Sequence, residues 1–159
     1  MHRAVSVTGP SGSGKTTLVC ALIAEFERRN TQVAAVKHGA HRIELDTEGK
    51  DSWRFRDAGA SPTLLVGPDQ LAWFGTPAQR PTLGALVALF GSEIDLVLVE
   101  GYRSAGLECI VIDDPHADRD WERPAPERVL LSVPAHDGPD WPDPALVTEA
   151  ADAIGRRRR

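Results

Sequence analysis

Cysteine is scarce in this chain, with two residues among 159. Cys20 and Cys109 each lie inside an apolar run, where cysteine behaves as a small buried hydrophobe. Two such positions do not make the disulfide framework of a small secreted protein, and a chain of this length buries enough surface to fold without one. The sequence therefore predicts one cytoplasmic domain, residues 1–159, without disulfides.

Long hydrophobic runs and a basic charge balance are missing as well. The longest apolar stretch, around Leu18 to Ile23, is far shorter than the ~20 residues of a membrane-spanning helix, and no secretory signal is visible. The formal net charge is -5, whereas nucleic-acid-binding domains present a basic face. We expect neither a membrane nor a nucleic-acid partner, and the arginine tail at 156–159 is typical of a solvated chain end.

The chain does contain alternating strand and helix patterns. Strands are predicted at residues 3–8, 32–36, 62–66, 71–74, 95–99, 109–112 and 129–132, and helices at 15–30, after Asp51, at 82–90 and at 145–154. The turn at 67–70 predicts a hairpin, and the Pro-rich segments 113–126 and 134–144 predict surface loops. Strand–helix–strand crossovers imply a parallel sheet. We predict an α/β domain of three layers, with a mostly parallel sheet and an inserted β-hairpin.

Residues 9–16, the phosphate loop, match the motif G-x-x-x-x-G-K-[ST] at every fixed position. The glycines let successive N–H groups curve around a phosphate, and the helix that opens at Lys15 points its positive end at the same anion. Lys15 would meet the β- and γ-phosphates and Thr16 would coordinate Mg²⁺. The predicted nucleotide contacts are Gly9, Ser11, Gly12, Ser13, Gly14, Lys15, Thr16 and Thr17. The alternative is a glycine-rich turn without a ligand.

A carboxylate at the end of a buried strand usually completes the metal site of such loops. Glu100 follows four apolar residues, and Gly101 lets the chain turn at the carboxyl edge of the sheet, where open α/β sheets bind ligands. We predict Glu100 as a catalytic and Mg²⁺-binding residue alongside Lys15. The alternative is a strand-end carboxylate that faces solvent.

The polar segment after the second strand leaves the sheet at the same edge. Asp46 is predicted to hold a metal-bound or attacking water as a further catalytic residue, and Lys37 or Lys50 to offset phosphate charge. His38 and His41 are three residues apart, a spacing compatible with metal ligation, but without a nearby cysteine they make an incomplete site. A polar loop without a catalytic role is the alternative.

The run KHGAHRIELDTEGKDSWRFRDAGA, with GPSGSGKTT and LVLVEGYR, resembles the molybdopterin-guanine dinucleotide biosynthesis protein B family, MobB. The resemblance covers residues 3 to about 103, and it is specific because many families share the phosphate loop but not the middle segment. Arg103 stands where the family commonly has lysine, which keeps the charge. The residues that match in the middle segment are Lys37, His38, His41, Asp46, Gly49, Lys50, Asp51, Ser52, Ala58, Gly59 and Ala60.

The resemblance implies a homodimeric GTP-binding protein that uses Mg²⁺ and has weak GTPase activity. It also implies a role beside the guanylyltransferase MobA when GMP is joined to molybdopterin, with molybdopterin and molybdoenzymes as further partners. Slow hydrolysis fits the residues, since no arginine finger or water-positioning glutamine is evident. The expected contacts of the anionic molybdopterin are Lys37, His38, His41 and Lys50.

The residues alone give weaker evidence about which nucleotide base the protein recognises. The motif Asn-Lys-x-Asp, which reads guanine, is absent, but Asp137 stands where its aspartate would stand and could accept from guanine N1–H and N2–H₂. The alternative is an aspartate in a surface turn, so guanine preference depends mainly on the resemblance.

Two other functions stay open. One is a nucleotide-gated metal chaperone that uses His38 and His41. The other is a small-molecule kinase, which would need an acceptor pocket and a mobile lid with arginines. The arginines that such a lid could recruit are Arg54, Arg56, Arg119 and Arg123.

Overall fold

The structure, a computed structural model, describes residues 2–39, 46–75, 81–117, 121–136 and 138–156. The chain divides into two compact units, one of Met1–His38 with Leu83–Arg159 and one of Gly39–Thr82. The strands are β1 (Arg3–Thr8), β2 (Val33–Lys37), β3 (Thr63–Val66), β4 (Leu71–Phe74), β5 (Leu96–Glu100), β6 (Cys109–Asp113) and β7 (Val129–Pro134). The helices are α1 (Lys15–Arg28), α2 (Asp51–Asp57), α3 (Leu83–Val87) and α4 (Pro144–Arg156), with short 3₁₀ turns at Arg103–Ala105 and Pro126–Arg128.

The first unit is built on a parallel sheet of five strands in the order β2-β5-β1-β6-β7. All five residues of β5 are buried, as expected for a central strand that is covered on both faces. The register places Val7 and Lys37 beside Glu100, one on each side of it. The carboxyl ends of β1, β2 and β5 are therefore level at one edge of the sheet.

Helices cover both faces of this sheet. Leu18, Leu22 and Phe26 recur at four-residue intervals on α1 and are buried together with residues of α4 such as Ile154. On the other face, α3 packs its apolar side against alternate residues of β5 and a residue of β2. These three layers and the parallel sheet confirm the predicted fold class.

The second unit contains α2 and the antiparallel hairpin β3-β4. The hairpin pairs Leu64 with Trp73 and Val66 with Leu71, and all four of these side chains are exposed. The predicted hairpin and the helix after Asp51 are both confirmed. Within the described ranges, no helix has the length and apolar character needed to cross a bilayer.

Three predictions need correction. Cys20 is exposed, whereas Cys109 is buried as predicted. At about 100° per residue, Cys20 points away from the buried stripe that contains Leu18 and Leu22. The helix predicted at 82–90 is shorter, since α3 ends at Val87. The segment 134–144 is not wholly a surface loop, because Trp141 is 8% exposed and packs in the core.

Candidate functional site

The phosphate loop joins the end of β1 to the start of α1. Gly12 and Gly14 have φ angles of 76° and 95°, values that residues with a Cβ rarely adopt. The Ser13 hydroxyl donates to the Pro10 carbonyl over 3.0 Å and is buried inside the loop. Gly14 is the N-cap of α1, so the first N–H groups of the helix open toward the loop. This backbone has the form that receives a phosphate.

The ammonium of Lys15 folds back over the loop. It donates to the carbonyl oxygen of Gly9 over 3.1 Å and to that of Pro10. Burial of the ammonium lowers the pKa of Lys15, an effect that the nearby carboxylate of Glu100 opposes. The positive charges of two further side chains, Lys37 and Arg103, lower this pKa further. Positive charge thus gathers at the mouth of the loop, where an anion would neutralise it.

The predicted metal ligands Thr16 and Glu100 lie together. The Thr16 hydroxyl donates to Glu100 Oε2 over 2.8 Å, and the Glu100 side chain is only 12% exposed. A hydroxyl and a carboxylate are the hard oxygen ligands that Mg²⁺ takes, and this ion usually completes its shell with waters and substrate phosphates. Among the described residues no group of three or more His, Cys, Asp or Glu side chains is placed to hold a metal. The pair fits a metal that arrives with a nucleotide.

Lys37 is a third member of this cluster. Its Nζ lies 3.2 Å from Thr16 Oγ1 and 3.2 Å from Glu100 Oε1. That Lys37 offsets phosphate charge stays a prediction, and the sequence did not predict the pairing of Lys37 with Glu100. No local signal in the sequence places β2 beside β5, and it is their observed register that brings the last residues of the two strands side by side.

His38 also lies at this edge of the sheet. Its backbone N–H donates to the Glu100 carbonyl over 3.0 Å, and its ring is 4.4 Å from the ring of Tyr102. His41 lies outside the described residues, so metal ligation by the two histidines stays a prediction.

Asp46 belongs to the second unit, where its side chain is 8% exposed. Oδ1 accepts from the Ser52 hydroxyl over 2.7 Å, and Oδ2 accepts from Arg56 over 2.8 Å. The Arg56 guanidinium also lies 5.7 Å from the ring centre of Phe74. Both carboxylate oxygens thus accept hydrogen bonds from side chains of α2. The catalytic and metal-binding role of Asp46 stays a prediction, as does the ligand contact of Lys50, which occupies the N-cap position of the same helix.

Two of the four arginines proposed for a kinase lid have other partners. Arg56 binds Asp46, and Arg123 binds Asp113 and the Ser132 hydroxyl. Arg119 lies outside the described residues. This arrangement does not favour a kinase lid.

Sequence reasoning missed the contribution of the β7–α4 connection to the loop. Trp141 packs against Gly14, and the His136 N–H donates to the Ser13 carbonyl over 3.2 Å. Its Pro-rich composition hid this role, although a tryptophan in a polar segment was a usable signal. Asp137, the predicted guanine-reading residue, lies outside the described residues, so that prediction stays untested.

Comparison with known proteins gives a consistent result. The family model of molybdopterin guanine dinucleotide synthesis protein B, MobB, matches residues 4–133. A molybdopterin-guanine dinucleotide biosynthesis adapter protein of Haemophilus influenzae is 38% identical over 109 residues, which are 68% of this chain and 61% of the relative. The match thus spans less than two thirds of that relative's length.

Solved structures match over nearly the whole chain. The crystal structure of Bacillus subtilis MobB superposes with a TM-score of 0.71 at 23% identity and covers 95% of this chain and 97% of its own, which shows the fold. A crystal structure of molybdopterin-guanine biosynthesis protein B has a TM-score of 0.67 at 28% identity and covers 96% of this chain and 98% of its own.

Proposed function

Since the chain belongs to the MobB family, we propose that it binds GTP with Mg²⁺ and assists the guanylyltransferase that forms molybdopterin guanine dinucleotide. The observation that carries the nucleotide part is the 2.8 Å contact between Thr16 and Glu100 at the start of α1. It joins a hydroxyl and a carboxylate beside Lys15, where a metal-bound triphosphate would need them. The adapter role is supported by the name of the Haemophilus influenzae relative.

Each residue of the loop has a defined part in this proposal. The backbone N–H groups of the loop and the ammonium of Lys15 hold the β- and γ-phosphates. Thr16 and Glu100 hold Mg²⁺, which neutralises phosphate charge when it is bound. The carbonyl oxygens of Gly9 and Pro10 keep the Lys15 ammonium at the mouth of the loop until a phosphate takes their place.

Slow hydrolysis belongs to the same proposal. The first unit contains one glutamine, Gln32. Its backbone carbonyl binds the N–H of Asp95 at the beginning of β5, the edge of the sheet opposite the phosphate loop. Gln32 is therefore badly placed to orient an attacking water. A protein that holds GTP for a partner has little need of rapid turnover.

The remaining parts of the proposal depend on family membership. Asp137 would read guanine, and the protein would act as a homodimer beside a MobA-like enzyme. Lys37, His38, His41 and Lys50 would contact molybdopterin. The His38 main chain is joined to Glu100, so a ligand that contacts His38 would lie close to the metal position.

Calorimetric titration of the protein with GTP and with ATP, each with and without Mg²⁺, tests the nucleotide part. We expect Mg²⁺-dependent binding that favours GTP and is lost in Lys15→Met. Arg156→Met removes the same charge from the last turn of α4 and should bind like wild type. Equal affinity in Lys15→Met, or preference for ATP, would contradict the proposal. A pull-down with a MobA-like guanylyltransferase then tests the adapter part.

A further inference from the structure

The side chains of Lys37, Thr16 and Glu100 form a closed triangle. Thr16 Oγ1 is 2.8 Å from Glu100 Oε2, and Lys37 Nζ is 3.2 Å from Thr16 Oγ1 and 3.2 Å from Glu100 Oε1. A lysine ammonium can donate three hydrogen bonds and accepts none. The Lys37 ammonium therefore binds the Thr16 hydroxyl and the Glu100 carboxylate, the two groups that would bind Mg²⁺.

The sheet, rather than a loop, sets this arrangement. Lys37 is the last residue of β2 and Glu100 the last residue of β5, and the two are register partners on adjacent parallel strands. Register partners of neighbouring strands project to the same face. Glu100 is held in turn between β2 and β1, where its partner is Val7. The register of the two strands thus places the Lys37 ammonium beside the Glu100 carboxylate.

The two partners differ in how freely they can move. The Lys37 side chain is 65% exposed and that of Glu100 is 12% exposed. A lysine carries its charge on a flexible four-carbon stem that can swing into solvent. An incoming cation can displace the ammonium while Glu100 stays where it is.

The surrounding charges make such an exchange more favourable when an anion arrives with the cation. Lys15 adds positive charge close to the carboxylate of Glu100, and the charges of Lys37 and Arg103 lie near enough to Lys15 to interact with it. A divalent ion that enters alone meets repulsion from all these groups, whereas a metal that arrives with a triphosphate brings compensating charge.

We propose that Lys37 is an internal cation that competes with the divalent metal for Thr16 and Glu100. It neutralises Glu100 when no metal is bound and must leave before a metal can bind. This inference depends on the proposed function, because it takes Thr16 and Glu100 as the metal ligands of the nucleotide site. Lys37 acts here as a positioning residue that sets the metal concentration at which the site fills.

Titration of the nucleotide-free protein with Mn²⁺, with free Mn²⁺ followed by electron paramagnetic resonance, tests this competition. We expect Lys37→Met to lower the Mn²⁺ dissociation constant about threefold or more, the scale set by the loss of one exposed ion pair. Lys37→Arg keeps a competing cation and should behave like wild type. Arg156→Met reports the effect of removing one positive charge elsewhere and should also leave the constant unchanged.

A dissociation constant that is unchanged or raised in Lys37→Met would overturn the inference. It would also be overturned if Glu100→Gln in the Lys37→Met background did not weaken Mn²⁺ binding, because the metal would then be bound elsewhere. Thermal unfolding of each variant verifies that the fold is intact.

This titration contains no nucleotide, so its outcome is independent of the outcome of the GTP titration. If GTP binds wild type but Lys37→Met leaves Mn²⁺ affinity unchanged, only the competition is wrong. If Lys37→Met tightens Mn²⁺ binding but no variant binds GTP, the competition holds and the proposed function is wrong.

Discussion

Trp141 lies so close to Gly14 that a Cβ on the glycine would stand 2.4 Å from Cζ3 of the indole. Gly14 is the N-cap of α1 and has a φ angle of 95°. The indole is held in place by its own hydrogen bond, in which Nε1 donates to the Pro134 carbonyl over 3.2 Å. The end of the phosphate loop is thus packed against a residue from the far end of the same unit.

This contact predicts that Gly14→Ala is strongly destabilising. The left-handed backbone costs about 1–2 kcal/mol for a residue with a Cβ, and the clash with the indole adds about 1–3 kcal/mol. Gly12→Ala is the matched control, because Gly12 has a φ angle of 76° but nothing within 4 Å of its added Cβ. Urea denaturation should show a clearly larger loss for Gly14→Ala, and equal losses would contradict the steric contribution of Trp141.

Glu100→Gln should weaken the dependence of GTP binding on Mg²⁺. The amide keeps the shape of the side chain but loses the charge that holds the metal. We expect GTP affinity measured with Mg²⁺ to fall about tenfold or more, and affinities measured with a chelator to be similar in variant and wild type. Asp95→Asn alters a carboxylate at the other end of the same strand and should change neither. A Mg²⁺ effect as large as that of wild type in Glu100→Gln would exclude Glu100 as a ligand.

Asp46→Asn should destabilise the second unit. The variant weakens a buried acceptor of hydrogen bonds from Ser52 and Arg56, and such a loss costs about 1–3 kcal/mol. A double-mutant cycle with Arg56→Gln, followed by urea denaturation, measures the coupling between the two side chains. Additive losses in the cycle would show that the ion pair does not contribute to stability.

Glu25→Gln should change the pH dependence of stability. Hydrogen bonds from Arg28 and Arg29 lower the pKa of Glu25 to about 2, from an ordinary value near 4.5. A lowered carboxyl pKa stabilises the fold above the ordinary value, and this contribution is lost as the pH falls toward 2. Wild type should therefore exceed Glu25→Gln in stability at neutral pH, with the difference shrinking between about pH 4.5 and 2. Glu27→Gln on the same helix serves as the control in chemical denaturation at each pH.

The two thiols should react at different rates. Cys20 is exposed, whereas burial raises the pKa of the Cys109 thiol and shields it from reagents. With a chromogenic disulfide reagent, one thiol should react quickly in the folded protein and the second only after unfolding. Cys20→Ser should remove the fast phase alone, and a fast phase that persisted in this variant would contradict the assignment.

The parts of the molecule that sequence predicted well depend on local patterns. The phosphate loop is contiguous in the chain, so its motif and its flanking strand and helix could be recognised together. The strand β5 was visible because burial on both faces requires an unbroken apolar run. The helical repeat of Leu18, Leu22 and Phe26 likewise identified α1.

The features that the sequence did not predict depend on contacts between residues that are far apart in the chain. The pair of Lys37 and Glu100 exists because β2 lies beside β5, and that strand order follows from tertiary packing rather than from any local signal. The burial of Trp141 depends on the space above Gly14, which only a glycine leaves open. The exposure of Cys20 was missed because the apolar run around it was interpreted without its helical phase.

The strand order also determines when the phosphate loop can form during synthesis. β1 leaves the ribosome before its sheet neighbours β5 and β6, which begin at Leu96 and Cys109. At roughly 5–20 residues per second, β1 waits about 5–20 s for its first partner. Until Glu100 has emerged, β1 has no neighbouring strand to fix the position of the phosphate loop, and the site lacks the carboxylate of Glu100. Nascent chains should therefore acquire the nucleotide site late, although its sequence motif precedes β5 by about 80 residues.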